Sequence, residues 1–202
     1  MRERVNSPVM NINVQGDLLT AILAFAMALS VILRGRRSRQ QIIFAVLAVN
    51  LCCFHLCGFL YQLDSTYIWQ RGQYALAATI PLTATMLVAT FLPEGQALGR
   101  GLYSLEYTLT PMFIIAVMSP LYARPGFPLV LGAYVYLTLL MAYSGLIQGR
   151  LRAVAGPDKR RLLYILAGGV AVIMLEVPAN MDLTRPYLKS AGDAALVLYL
   201  YF

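Results

Sequence analysis

The stretch IIFAVLAVNLCCFHLCGFLYQL, residues 42–63, contains no Asp, Glu, Lys or Arg. As a helix it is long enough to cross the ~30 Å hydrocarbon core of a bilayer, which takes roughly 20 apolar residues. Reading outward from it, the same pattern recurs. Apolar runs occupy about 17–34, 41–63, 74–92, 102–121, 128–148 and 161–180, and a seventh opens at Ala191 and continues to Phe202. The expected fold is therefore all-α, a polytopic transmembrane bundle of seven helices forming one domain over residues 1–202, with the seventh helix cut short at the C-terminus. By these boundaries the loops are about 6 to 14 residues long, which leaves no room for a soluble domain.

Composition supports the lipid solvent. Hydrophobic residues make up 59% of the chain and charged ones 12%, against about a quarter charged in an ordinary soluble domain. The formal net charge of +7 does not imply nucleic acid, because the basic residues sit in short runs between apolar stretches. Arg34, Arg36, Arg37, Arg39, Arg100, Arg150, Arg152, Lys159, Arg160 and Arg161 fall on one side; Arg2, Arg4, Arg71, Arg124, Arg185 and Lys189 fall on the other. The richer side is expected to stay cytoplasmic. That places the N-terminus outside a bacterial inner (plasma) membrane and sends the seventh helix inward. No cleavable signal peptide is evident, since Met1 to Gln15 is polar and the first apolar run is too long for one. There is no internal repeat and no low-complexity segment.

Ionisable groups inside spans are functional candidates by default. Three stand out: His55, Glu106 and Glu176. Glu106 lies one turn into the fourth helix, where its carboxylate is expected to reach interfacial water or a loop arginine. His55 and Glu176 lie at nearly equal depth, 14 and 15 residues from the cytoplasmic ends near Gln41 and Arg161, and are expected to line one outward-facing cavity. Cys52, Cys53 and Cys57 beside His55 suggest a metal site, but at about 100° per residue His55 points away from the face shared by Cys53 and Cys57. The cysteines read as small core residues, with no disulfide framework. No metal and no other cofactor is expected.

Pro81, Pro111 and Pro178 interrupt helices and shape the bundle. Ala167, Gly168, Gly169 and Ala171 form a small-residue surface for close helix packing. Tyr67, Trp69, Tyr134, Tyr136 and Tyr143 read as interfacial or packing aromatics. No lysine lies inside a complete helix, so a retinal Schiff base has no attachment point. Phosphate-binding, zinc-protease and nucleophile-elbow motifs are absent, so the chain carries no catalytic constellation.

Three groups of residues carry a resemblance. Arg37-Ser38-Arg39-Gln40-Gln41-Ile42-Ile43-Phe44 follows the first helix. Trp69-Gln70-Arg71-Gly72-Gln73-Tyr74 leads into Ile80-Pro81-Leu82 and closes on Phe91-Leu92-Pro93. Gly149-Arg150-Leu151-Arg152 precedes Asp158-Lys159-Arg160-Arg161-Leu162-Leu163-Tyr164. Together they resemble the seven-helix N-terminal sensor region of bacterial histidine kinases, although Thr83-Ala84-Thr85-Met86 departs from the family pattern. The resemblance implies a sensory input module of a two-component system. It also implies a cytoplasmic kinase domain further along the same full-length chain, a homodimer, and no partnership with nucleic acid. His55, Glu176 and Glu106 are then the ligand- or signal-sensing candidates. The competing expectation is a seven-helix transporter of small solutes, which would show two related halves with matching broken helices.

Overall fold

A computed structural model describes residues 12–33, 38–92 and 100–152, together with the single positions 163 and 167. Five α-helices fill them, α1 (Ile12–Leu33), α2 (Arg39–Asp64), α3 (Tyr67–Ala89), α4 (Arg100–Met118) and α5 (Phe127–Arg152), and a 3-10 turn, Pro120–Ala123, joins the last two. There is no strand among the described residues. All five helices are long and apolar enough to cross a membrane. Apart from Leu163 and Ala167, the sixth and seventh apolar runs, with Glu176 and Pro178, lie outside the described residues.

Local chemistry sets the helix ends. Ser38 opens α2 with a reciprocal cap: its Oγ accepts from the Gln41 amide at 3.3 Å, and its own amide donates to Gln41 Oε1 at 2.9 Å. This satisfies two of the amides that a helix start leaves without partners. At the other end Ser65 turns left-handed at φ 53° and donates its amide to the Tyr61 carbonyl. Only Ser65 and Thr66 separate α2 from α3, and the Thr66 hydroxyl donates to the Asp64 carboxylate. This corrects the expected helix start at residue 74. Tyr67 to Gln73 is polar enough to read as loop, yet it forms the first two turns of α3, where Gln70 Nε2 donates to the Tyr74 hydroxyl at 3.4 Å and the Arg71 guanidinium sits over the Tyr122 ring. α1 likewise begins at Ile12 and not near residue 17, so Asp17 lies within the helix.

Residue pairs across the helices fix an antiparallel register. Asn50 meets Thr79 between α2 and α3, while Thr85 meets Glu106 and Ala78 meets Thr110 between α3 and α4. α3 is the hub, packing against α2, α4 and α5, whereas α1 packs chiefly on α2. The α1–α2 contact is built on small side chains. Ala21, Ala24 and Ala28 repeat at helical spacing, and all are nearly fully buried. Their size lets the backbones approach, as membrane helices require. The α1 face turned away from α2 is also apolar, with Ile22, Phe25, Leu29 and Leu33 exposed. A helix apolar on every side is solvated by lipid or by protein and not by water. Leu129 on α5 and Ile115 on α4, 77% and 69% exposed, present the same kind of surface.

Pro81 and Pro111 lie inside α3 and α4, each removing an amide from the backbone ladder. Close to the first, the Thr110 hydroxyl reaches across to the Ala78 carbonyl at 3.3 Å. The carbonyl that Pro81 deprives of its amide is that of Ala77, four residues back, so this bond ties α4 to α3 beside the break without replacing the lost one.

Candidate functional site

Two polar seams run through the apolar bundle. The first lies towards the end that carries the start of α1 and the α2–α3 turn. On α2, His55, Gly58 and Gln62 share one face, at three- and four-residue spacing. Asp17 of α1 lies against that face. His55 Nδ1 meets Asp17 Oδ1 at 3.1 Å, and Gln62 Nε2 donates to Oδ2 at 2.5 Å. A carboxylate only accepts, so the hydrogen shared with His55 belongs to Nδ1. Asp17 and His55 are 7% and 3% exposed, and theirs is the one contact between a carboxylate and a basic side chain at ion-pair distance among the described residues. The Phe54 ring packs edge-on against the imidazole at a centroid distance of 5.0 Å.

Gly58 permits the convergence. A methyl group there would lie 2.8 Å from Gln73 Nε2 of α3 and 3.4 Å from Asp17 Oδ2. The missing side chain is therefore what lets α1, α2 and α3 bring polar groups to one point. One residue before Gln73, Gly72 lies so close to the Sγ of Cys57, which precedes Gly58, that an added methyl would stand 3.1 Å from it. The Asp17 site lies about 8 to 9 Å below the helix starts, since Asp17 is five residues into α1 and Gln73 six into α3 at 1.5 Å per residue. Nearer the middle, Asn50 Nδ2 donates to Thr79 Oγ1 at 2.6 Å.

The second seam runs between α3, α4 and α5. Thr85 Oγ1 donates to Glu106 Oε1 at 2.6 Å, and Glu106 is 0% exposed. The other carboxylate oxygen, Oε2, is buried with no hydrogen-bond partner among the described residues. One turn along α4, Thr110 shares a hydrogen bond of 2.9 Å with the Tyr134 hydroxyl of α5, whose ring stacks on Phe113. Thr138 continues the seam by donating to the Tyr134 carbonyl. Glu106 is thus enclosed between helices, which corrects the expected interfacial carboxylate. The helix start at Arg100 places it about 9 Å along α4, and α3 covers it there.

The sequence-predicted residues do not converge. His55 and Glu106 belong to separate seams, and the partner of His55 is Asp17. Glu176 lies outside the described residues, so the expected His55–Glu176 cavity falls outside them as well. Sequence reading missed Asp17 because it took residue 17 as the edge of the first span. It missed Thr85 because a threonine in an apolar helix carries no charge signal. The three cysteines are half-buried thiols with no disulfide. At the Asp17 end, the Arg71 guanidinium lies 4.3 Å from the centre of the Tyr122 ring, a cation–π contact that ties α3 to the 3-10 turn.

No protein-family model, curated protein or solved structure matches the chain.

Proposed function

We propose that the chain is the membrane-embedded sensory input module of a two-component histidine kinase, with the Asp17–His55–Gln62 cluster as the part that reads the signal. The observation that carries this reading is that cluster. One carboxylate joins two helices through a histidine and an amide, and a third helix approaches at Gln73. A polar contact of this kind between helices has discrete alternatives, joined or parted, and a ligand that favours one shifts the population.

In this reading the chain crosses a bacterial inner membrane seven times with its N-terminus outside, so the cluster lies in the outer half. On the same reading the apolar run from Ala191 to Phe202 is the seventh span. It carries the bias inward to a kinase domain, and the assembly is a homodimer. The ten-to-six distribution of basic residues and the helix-end resemblance to such sensor regions support this arrangement.

The test begins with the full-length gene, which should encode a dimerisation and ATP-binding core beyond Phe202. In membrane vesicles, Asp17→Asn and His55→Gln should then change autophosphorylation by roughly 5- to 150-fold, the range expected of a coupling of about 1–3 kcal/mol. Both variants should still insert in the membrane. A gene that ends soon after the seventh helix would refute the reading and favour a small-solute transporter. Unchanged autophosphorylation in both variants would remove the cluster from the signalling path.

A further inference from the structure

Glu106 has an unbalanced environment. Its side chain is completely enclosed, and Thr85 Oγ1 is the one donor that reaches it among the described residues. Oε2 has no partner there, and no described Lys, Arg or His forms an ion pair with it. An ionised carboxylate removed from water and left unpaired is among the most costly groups a membrane bundle can contain. A single threonine hydroxyl does not offset that cost.

We propose that Glu106 is an exchangeable site for one positive charge, a proton or a sodium ion, held at the carboxylate between α3 and α4. One carboxylate calls for one unit of charge; a divalent ion would leave the pocket positive. The surrounding donors are all oxygen. The Thr85 hydroxyl touches the carboxylate, and the Thr110 and Tyr134 hydroxyls stand one turn along. Oxygen-only surroundings suit hard cations and not the softer metals that favour sulfur or imidazole. Among the described residues, the titratable groups in electrostatic reach are Tyr103 on the same helix, itself beside Tyr107 and within reach of Arg39 at the start of α2, and Tyr134 on α5. From α3 the facing group is Thr85. Arg71 and Tyr74 of that helix lie 11 or more residues away, about 16 Å or more along the axis. The position of Glu106, about 9 Å from the start of α4, leaves a short path for exchange at that end. This site stands apart from the Asp17 cluster and does not depend on the sensory reading.

The full chain in lipid vesicles is treated with dicyclohexylcarbodiimide, and the peptide containing Glu106 is followed by mass spectrometry. The reagent consumes the protonated acid. The O–H adds across a C=N bond to give an O-acylisourea, and the acyl group then moves to nitrogen as a stable N-acylurea, with no group lost. Labelling at Glu106 is expected, with complete loss of that label in Glu106→Gln. Replacing choline chloride by sodium chloride at constant ionic strength separates the two ions. Slowing by about tenfold at ten times the dissociation constant identifies sodium. A rate that rises with acidity and ignores sodium identifies the proton. Because the reagent must also reach the site, the carboxyl infrared band is followed in the same buffers as the difference between wild type and Glu106→Gln. A Glu106-dependent band that responds to acid or sodium supports the site. A band that responds to neither overturns it.

Discussion

The contact between Asp17 and His55 can be measured as an energy. Asp17 accepts from both His55 and Gln62, but Gln62 is exposed and can turn to solvent, so Asp17→Leu strands one buried donor, His55. At about 1–3 kcal/mol for an unsatisfied buried group, the substitution should cost roughly 1–3 kcal/mol. His55→Leu breaks one of the two bonds and should cost roughly 1–3 kcal/mol. The double variant isolates the pair. A hydrogen bond to a charged group contributes about 1.5–3 kcal/mol in proteins generally. Interhelical bonds in lipid average about 0.6 kcal/mol, because the separated helices find other partners. The coupling is therefore expected between about 0.6 and 3 kcal/mol, towards the upper part because both groups are almost fully buried. Reversible unfolding of the full chain in bicelles, read for wild type, both single variants and the double, gives the four corners of the cycle. If the single effects add to within about 0.5 kcal/mol, the two residues do not interact and the first seam is misassigned.

Gly58→Leu should destabilise the protein by at least about 1–3 kcal/mol in the same assay, because its side chain must displace Gln73 and Asp17; a neutral result would show that α1 and α3 do not close on this glycine. Ser38→Ala removes the cap at the start of α2 and is expected to cost about 0.5–2 kcal/mol, while Ser38→Gly should cost only a few tenths. Ser65→Gly should stabilise by up to about 1 kcal/mol, since glycine enters the left-handed region without the penalty that a serine meets; a loss of stability would place that turn in a different conformation. For orientation, a cysteine at Ala155 in a background lacking Cys52, Cys53 and Cys57 should resist an impermeant thiol reagent in intact cells. Ready labelling there reverses the proposed topology.

Much of this architecture was legible in advance, and the failures have particular causes. Residues 42–63 identify α2 almost to its ends because lipid demands a long uncharged run. Ser38 and Gln41 also stand at the spacing of a capping box, a signal that apolar runs alone do not bring out. Hydropathy misplaced the start of α3 because Gln70, Arg71 and Gln73 resemble a loop when averaged over a window. In the fold, Gln73 packs against Gly58 and Arg71 against Tyr122. The same averaging hid Asp17. A carboxylate near a span boundary looks interfacial until the helix is known to begin five residues earlier. For Glu106, position along the chain gives an approximate depth, but depth says nothing of azimuth. The Thr85 hydroxyl and the α3 backbone decide that it faces inward. Polar partners in membrane bundles are often Thr, Gln and Gly, which carry no charge for a sequence pattern to detect.

The separation of Asp17 from its partners along the chain gives the first seam a history in time. Asp17 is synthesised 38 residues before His55 and 45 before Gln62. At about 5–20 residues per second, α1 exists for roughly two to eight seconds before its carboxylate can meet the imidazole. During that interval the first helix has no internal partner for the group. Its place near the helix end lets the side chain lean towards headgroup water in the meantime. A carboxylate two turns deeper would have no such refuge while the nascent helix stood alone in lipid.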